Sequence, residues 1–292
     1  MDTPGSTASA PLPLGTRPKS PSRSIADEPR LANAVRALAL DMVERAGGGD
    51  LALPFGMADA ATALWSRALR HDAADPGWPD RDRFVLSAGH GAALLYALLH
   101  LTGYAGMESE QLQGFRRLHS VCAGLPEHGL HPAIEATTGP PGQGLGLAVG
   151  LALAERMMAA RFGRSLVDHR TWVVVSAADL QEGISREAAA LAGDLRLDRL
   201  TVLWDDAEDE GELSHTADQL RRLAALGWAT KQVDGHDPAA LASALSLAQR
   251  SRKPTIIACR TSMGVPMRSS GPDITSLRTA REALGWSHPA FA

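Results

Sequence analysis

The sequence has few of the residues that mark secreted, membrane-spanning or disulfide-bonded proteins. Among its 292 residues there are only two cysteines, Cys122 and Cys259, which is too few for a disulfide framework. Its N-terminus has neither an apolar signal core nor an Arg-rich amphipathic presequence. The most apolar run, residues 144–160, contains Glu155 and Arg156 and is shorter than the roughly 20 residues that a membrane helix needs. We therefore expect a cytoplasmic protein and predict that this run forms a buried helix.

An excess of one charge is also absent. Lys and Arg number 29 and Asp and Glu number 33, which gives a net charge of −4. A charge so small and so mixed does not indicate a nucleic-acid or membrane-surface partner. Hydrophobic residues make up 45% of the chain, which is ample for a buried core and excludes collagen-like and wholly disordered proteins.

The chain divides into a short tail and one long domain. Residues 1–25 are rich in Pro, Ser, Thr, Gly and Ala and have no apolar periodicity, so they are predicted to form a disordered tail. Neither an internal repeat nor a central linker interrupts the remainder. We therefore predict one domain over residues 26–292.

Strand patterns and helix patterns alternate along this domain. Apolar, β-rich runs predict strands at 84–86, 172–175, 200–204, 230–233 and 255–259. Helical patterns run from Pro29 to the glycines at 47–49 and at 57–69, 91–101, 144–160, 182–195, 214–226 and 238–250. This alternation predicts an α/β fold with a mostly parallel sheet and helices on both faces. Ligands of such sheets bind at the carboxyl ends of the strands.

The segment 137–144, with the sequence Thr-Thr-Gly-Pro-Pro-Gly-Gln-Gly, precedes the long apolar helix. Free amide groups and the helix dipole at such a start can hold an anion such as phosphate. The alternative is a capped helix whose glycines only permit close packing. The segment does not complete a dinucleotide fingerprint, because no strand directly precedes it, and NAD is therefore disfavoured.

Several short motifs occur along the chain in a characteristic order. They include Arg-Asp-Arg-Phe-Val-Leu-Ser at 81–87, Gly-His-Gly at 89–91, Thr-Thr-Gly-Pro at 137–140, Glu-Gly-Ile-Ser at 182–185, Val-Asp-Gly-His-Asp at 233–237 and Ala-Leu-Gly-Trp at 283–286. From about residue 41 onward the chain resembles the transketolase family. The resemblance implies a thiamin diphosphate-binding fold and covers the diphosphate-binding domain of that family only.

In that family the chain continues into a pyrimidine-binding and a C-terminal domain, and thiamine diphosphate is held between two subunits. The resemblance therefore implies a homodimer, a hetero-oligomer with a separate pyrimidine-domain chain, or both. The Glu182 helix and the helix start at 139–150 are the surfaces that face neighbouring subunits in the family. Cofactor contacts are expected from Gly139, Gly142, Gln143 and Gly144.

The positions that the resemblance assigns to the metal carry alanine. The family's Gly-Asp-Gly, whose Asp binds magnesium on the diphosphate, aligns with residues 176–178, so that Ala177 replaces the Asp, and Ala207 replaces an Asn ligand. Magnesium needs oxygen donors, and a methyl group supplies none. Asp179 or Asp209 could hold a displaced metal, although a solvated acidic loop is the favoured interpretation.

Most of the histidines that the resemblance implies are also missing. Asp50 and Leu125 stand at two of their positions, and a third histidine is absent near residue 271. His90 matches, although a structural histidine is the alternative. Glu182 and Glu187 match two interface acids near the aminopyrimidine, or else form an ordinary solvated pair.

Two functions are therefore compatible with the sequence. The first is a diphosphate-domain subunit with a degenerate magnesium and thiamine diphosphate site, which acts as a non-catalytic partner or scaffold for a pyrimidine-domain chain. The alternative is the active half of a two-component transketolase that transfers a two-carbon ketol unit. Only the alternative requires thiamine diphosphate and magnesium.

Overall fold

A computed structural model describes residues 27–207, 216–264 and 274–291, and the tail predicted at 1–25 lies outside them. Five strands are present in this part of the chain, namely β1 (Arg83–Leu86), β2 (Thr171–Val175), β3 (Leu200–Ala207), β4 (Ala229–Asp234) and β5 (Thr255–Thr261). The helices there are α1 (Glu28–Ala46), α2 (Ala52–Ala63), α3 (Ala92–Leu101), α4 (Ser109–Leu112), α5 (Gln143–Phe162), α6 (Ala177–Gln181), α7 (Gly183–Asp194), α8 (Thr216–Ala225), α9 (Pro238–Arg250) and α10 (Ile274–Ala283). All five predicted strands are confirmed, while α4, α6 and α10 were not predicted.

The strands form one sheet in the order β1-β2-β3-β5-β4, and every neighbouring pair is parallel. Val173 in β2 pairs with Val85 in β1 and with Val202 in β3. Because all strands run in the same direction, their carboxyl ends lie along one edge of the sheet. This edge is the place where a fold of this kind binds ligands.

Helices cover both faces of the sheet, as predicted. Successive strand residues point to opposite faces, so Trp172 packs in the cluster that contains residues of α1, α2, α3 and α9. Val173 packs in the second cluster, which contains residues of α5 and α7. Both side chains are fully buried. The fold is therefore an α/β sandwich of helix, sheet and helix layers.

The second helix begins five residues earlier than the predicted start at 57. The carboxylate of Asp50 accepts hydrogen bonds from the amides of Ala52 and Leu53, at 3.3 and 3.1 Å, and so caps the first turn of α2. A π-helical turn, Leu64–Ala68, completes the predicted range. The sequence pattern did not predict this start, because α2 is buried on nearly every side and its apolar residues show no amphipathic period.

The helix predicted at 144–160 is confirmed as α5, but it is buried on one side only. One side of α5 packs on the sheet, but Leu147, Met157 and Phe162 are 42%, 65% and 53% exposed. Apolar residues all round a helix normally indicate burial on every side, whereas this helix has a single packed face. In the described part of the chain, none of the helices combines the length and the apolar character needed to cross a bilayer.

Candidate functional site at the carboxyl edge of the sheet

The start of α5 is packed between the end of β1 and the start of α7. A Cβ atom built on Gly144 would lie 2.4 Å from the Cα of Ser87, and one built on Gly142 would lie 2.7 Å from the Oγ of Ser185. Gly142 also has a positive φ of 79°, which favours glycine. Close packing, the alternative considered for these glycines, is thus one of their roles.

Two further residues of the predicted anion-binding segment lie near this start. Gln143 is exposed, and its amide donates to the carbonyl oxygen of Pro140 at 3.3 Å. A Cβ built on Gly139 would lie 2.7 Å from a methyl carbon of Leu125. The segment that would hold a phosphate is therefore covered on one side by an apolar side chain.

The carboxylate of Asp179 lies beneath this segment and is almost completely buried, at 1% exposure. Its Oδ1 accepts hydrogen bonds from the hydroxyl of Ser87 at 2.6 Å and from the amide of Gly142 at 2.8 Å. Its Oδ2 accepts from the amide and the hydroxyl of Ser176, both at 2.8 Å. The Ser176 and Asp179 pair forms a capping box at the start of α6.

The two alanines at the family's metal positions are exposed at this edge. Ala177 begins α6 and Ala207 ends β3. Among the residues that the structure describes, no group of three or more His, Cys, Asp or Glu side chains is arranged to hold a metal ion. Asp179 has both oxygens engaged by the donors above, and Asp209 lies outside the described residues.

Asp205, near the end of β3, is a buried carboxylate with few hydrogen-bond donors around it in the described part of the chain. Its Oδ1 accepts one hydrogen bond, from the hydroxyl of Thr261 at 2.5 Å. Burial raises the pKa of Asp205 to about 7 in spite of that bond, and the nearby carboxylates of Asp50 and Asp206 add to the rise. Asp205 is therefore much harder to ionise than an exposed carboxyl group.

An imidazole and carboxylate pair lies beside Asp205 at the same edge. The Nδ1 of His236 is 2.8 Å from the Oδ2 of Asp59, and its Nε2 accepts the amide of Ser262 at 3.0 Å. The hydrogen bond to Asp59 raises the pKa of His236. Burial would raise the pKa of Asp59, but His236 and the guanidinium of Arg36 together lower it. This network joins α1, α2 and the loop after β4.

The positions where the resemblance implies histidines have other local roles. Asp50 caps α2, and the carbonyl of Leu125 accepts the hydroxyl of Tyr96 at 3.2 Å. The region near residue 271 lies outside the described residues. His90 lies in a short 3₁₀ turn after β1, where it is exposed and forms no hydrogen bond within the described ranges.

Glu182 and Glu187 are both exposed at the start of α7. Glu182 stands at the N-cap position, and its Cβ would lie 2.9 Å from a Cβ built on Gly142. The structure thus brings Glu182 to the start of α5. Within the described ranges neither carboxylate forms an ion pair.

The sequence analysis missed the central position of Asp179. Its partners Ser87 and Gly142 are 92 and 37 residues away, so no local pattern identifies them. The available signal was the Ser-x-x-Asp spacing from residue 176, which is typical of a capping box.

A comparison with protein-family models matches residues 27–291 to the transketolase domain described as thiamine diphosphate binding. A transketolase of Cereibacter sphaeroides is 50% identical over 279 residues, which cover 91% of this chain and 42% of that protein. A transketolase of Sinorhizobium medicae is 50% identical over 282 residues, which cover 92% of this chain and 41% of that protein.

Solved structures give the same result. The crystal structure of transketolase from Campylobacter jejuni matches with a TM-score of 0.86 and 34% identity, over 92% of this chain and 44% of that one. Transketolase from Leishmania mexicana matches with a TM-score of 0.85 and the same identity. The chain therefore spans less than half the length of the relatives that it matches.

Proposed function

This chain belongs to the transketolase family, through its thiamine diphosphate-binding domain, and from that premise we propose that it is a non-catalytic partner subunit. In this role it forms a scaffold for a separate chain that carries the pyrimidine-binding domain. The observation that carries the proposal is the absence of oxygen donors at Ala177 and Ala207.

The described residues of the carboxyl edge do not fit a magnesium-bound diphosphate. Magnesium prefers carboxylate and other oxygen ligands in a near-octahedral arrangement, and the methyl groups of Ala177 and Ala207 offer none. The buried carboxylate of Asp179, two residues after Ala177, already accepts four hydrogen bonds. Losing two direct ligands costs more than the 10- to 100-fold in affinity that is typical of outer-shell losses.

The surface that we propose for partner binding is the exposed apolar face of α5 and α7. Leu147 and Phe162 on α5 are 42% and 53% exposed, and Ile184 and Leu191 on α7 are 50% and 47% exposed. The two helices pack side by side, and the side chain of Ile184 lies against Gly146. Exposed apolar surfaces of this kind mark protein interfaces.

Self-association and binding of another chain both use this face in our proposal. Replacing Ile184 by Glu places a charge on this face, and replacing Leu247 by Glu changes an equally exposed residue on α9. Light scattering after size exclusion should report a smaller particle for Ile184→Glu only. Equal masses for both variants and the unmodified protein would place the interface elsewhere.

A second candidate function rests on two observations. The chain is 50% identical to proteins named transketolase, and His90, Glu182 and Glu187 are exposed at the same edge. In this alternative the chain is the active half of a two-component transketolase, and a partner chain supplies the missing magnesium ligands. We place either form in the cytoplasm, where its two free and buried cysteines stay reduced.

Calorimetric titration with thiamine diphosphate and magnesium separates the two candidates. We expect no binding at micromolar concentrations by the unmodified chain, alone or mixed with a co-expressed pyrimidine-domain chain. Micromolar binding by either sample supports the active half and rejects the scaffold role. The double variant Ala177→Asp with Ala207→Asn restores two oxygen ligands and should bind more tightly, and addition of EDTA should remove that gain.

A further inference from the structure

The donors that converge on Asp179 come from three separate segments of the carboxyl edge. Ser87 follows β1, Gly142 precedes α5, and Ser176 follows β2. The four donor distances lie between 2.6 and 2.8 Å, and the side chain is buried. A carboxylate has about four lone-pair sites, so Asp179 has no capacity left for another ligand.

The same donors are of the kind that binds an external anion. An amide at a helix start and hydroxyl groups beside it hold phosphates in many proteins. Three of the four donors come from Gly142, where the resemblance implies a cofactor contact, and from Ser176, in the segment that the resemblance aligns with the family's magnesium-binding Gly-Asp-Gly. In this chain those three donors, and the hydroxyl of Ser87, point to an internal carboxylate.

We propose that Asp179 is a built-in anion, which takes the place of a bound ligand and holds these three segments together. The carboxyl edge is then ordered without any cofactor, and an external anion cannot reach the amide of Gly142. This inference extends the proposed function and rests on it for the loss of cofactor binding at this edge. It also gives the edge a source of stability that does not depend on the partner chain.

The replacement Asp179→Ala tests this proposal directly, because it leaves four donors around a space the size of a carboxylate. Formate has the charge, the shape and the size of the missing group and should fill that space. Asp179→Asn keeps the space filled and removes the charge, so formate should not enter. Asp237→Ala is the matched control, because Asp237 caps α9 through the amides of Ala239 and Ala240 at an exposed site where water replaces the carboxylate.

Thermal unfolding in sodium formate and in sodium chloride of equal concentration provides the measurement. We expect formate at about ten times its Kd to raise the Tm of Asp179→Ala by about 3 °C relative to chloride. The unmodified protein, Asp179→Asn and Asp237→Ala should each shift by less than about 1 °C. An equal formate effect on all four proteins, or none on Asp179→Ala, overturns the proposal.

A second measurement covers the case in which Asp179→Ala does not fold in chloride. The variant is refolded from urea with formate or with chloride, and the yield of monodisperse protein is compared. We expect a several-fold higher yield in formate for Asp179→Ala and equal yields for the unmodified chain. Equal yields for Asp179→Ala overturn the proposal. Neither assay contains thiamine diphosphate, so failure here leaves the partner role to be judged by the cofactor titration.

Discussion

Two buried carboxylates at opposite edges of the same sheet are compensated very differently. At the amino edge, the side chain of Asp82 is fully buried and accepts from the amide and the guanidinium of Arg70, the amide of Arg170 and the indole of Trp172, at 2.9 to 3.1 Å. At the carboxyl edge, Asp205 accepts one hydrogen bond, from Thr261, and faces two other carboxylates. Asp82 is therefore well compensated at the amino edge, whereas Asp205 at the carboxyl edge is poorly compensated by the residues that the structure describes.

Asp179 is an exception to this contrast between the two edges. It lies at the carboxyl edge, yet its four donors make it resemble Asp82 more than Asp205. Two of these donors belong to the capping box at the start of α6, and the other two come from Ser87 and Gly142. The number of hydrogen bonds that a buried carboxylate accepts therefore differs between Asp179 and Asp205, although both lie at the same edge.

The largest expected effect is the loss of Asp82. Asp82→Ala removes an acceptor from four donors, including the buried indole of Trp172, and leaves the Arg70 guanidinium without its closest anion. Breaking a buried pair in this way costs about 3–5 kcal/mol of unfolding free energy. Urea unfolding at pH 8 measures it. A loss below about 1 kcal/mol would show that water replaces the carboxylate, as at an exposed site.

Replacing the buried Asp205 at the other edge should have the opposite effect and raise the free energy of unfolding. Burial raises the pKa of Asp205 from 3.8 to about 7, so the folded state keeps a proton that the unfolded state releases. Stability from this group is therefore lost as the pH rises from about 4 to 7, and it does not change further above that range. Asp205→Asn removes the buried charge and should stabilise the protein by about 1–3 kcal/mol at pH 8.

The pH dependence provides the control for this prediction. The difference in unfolding free energy between Asp205→Asn and the unmodified chain should grow between pH 5 and pH 8. A parallel series for Asp82→Asn corrects for a general effect of replacing a buried Asp. If the Asp205 difference is the same at both pH values, the carboxylate is already ionised at pH 5 and the contrast between the edges is weaker than its geometry indicates.

The sequence predicts the parallel sheet, but it does not predict which groups donate to the buried carboxylates at its two edges. The strand and helix periods reveal the parallel sheet, because burial of alternate faces leaves its mark on neighbouring residues. The partners of Asp179 and Asp82 come from residues up to 92 positions away, and a single sequence does not record such pairings. The exposure of Met157 and Phe162 on α5 was also missed, because an apolar composition does not show which apolar residues of a helix are buried.

The smallest expected effect concerns a carboxylate at the carboxyl edge that is open to solvent. Asp237 accepts from the amides of Ala239 and Ala240 at 2.8 and 3.2 Å and is exposed at the start of α9. Asp237→Ala should lower the unfolding free energy by about 1 kcal/mol, the usual value of an N-cap, and Asp237→Ser should recover most of it. Urea unfolding at pH 8 measures both variants. A loss as large as that of Asp82→Ala would mean that exposure to water does not distinguish Asp237 from the buried Asp82.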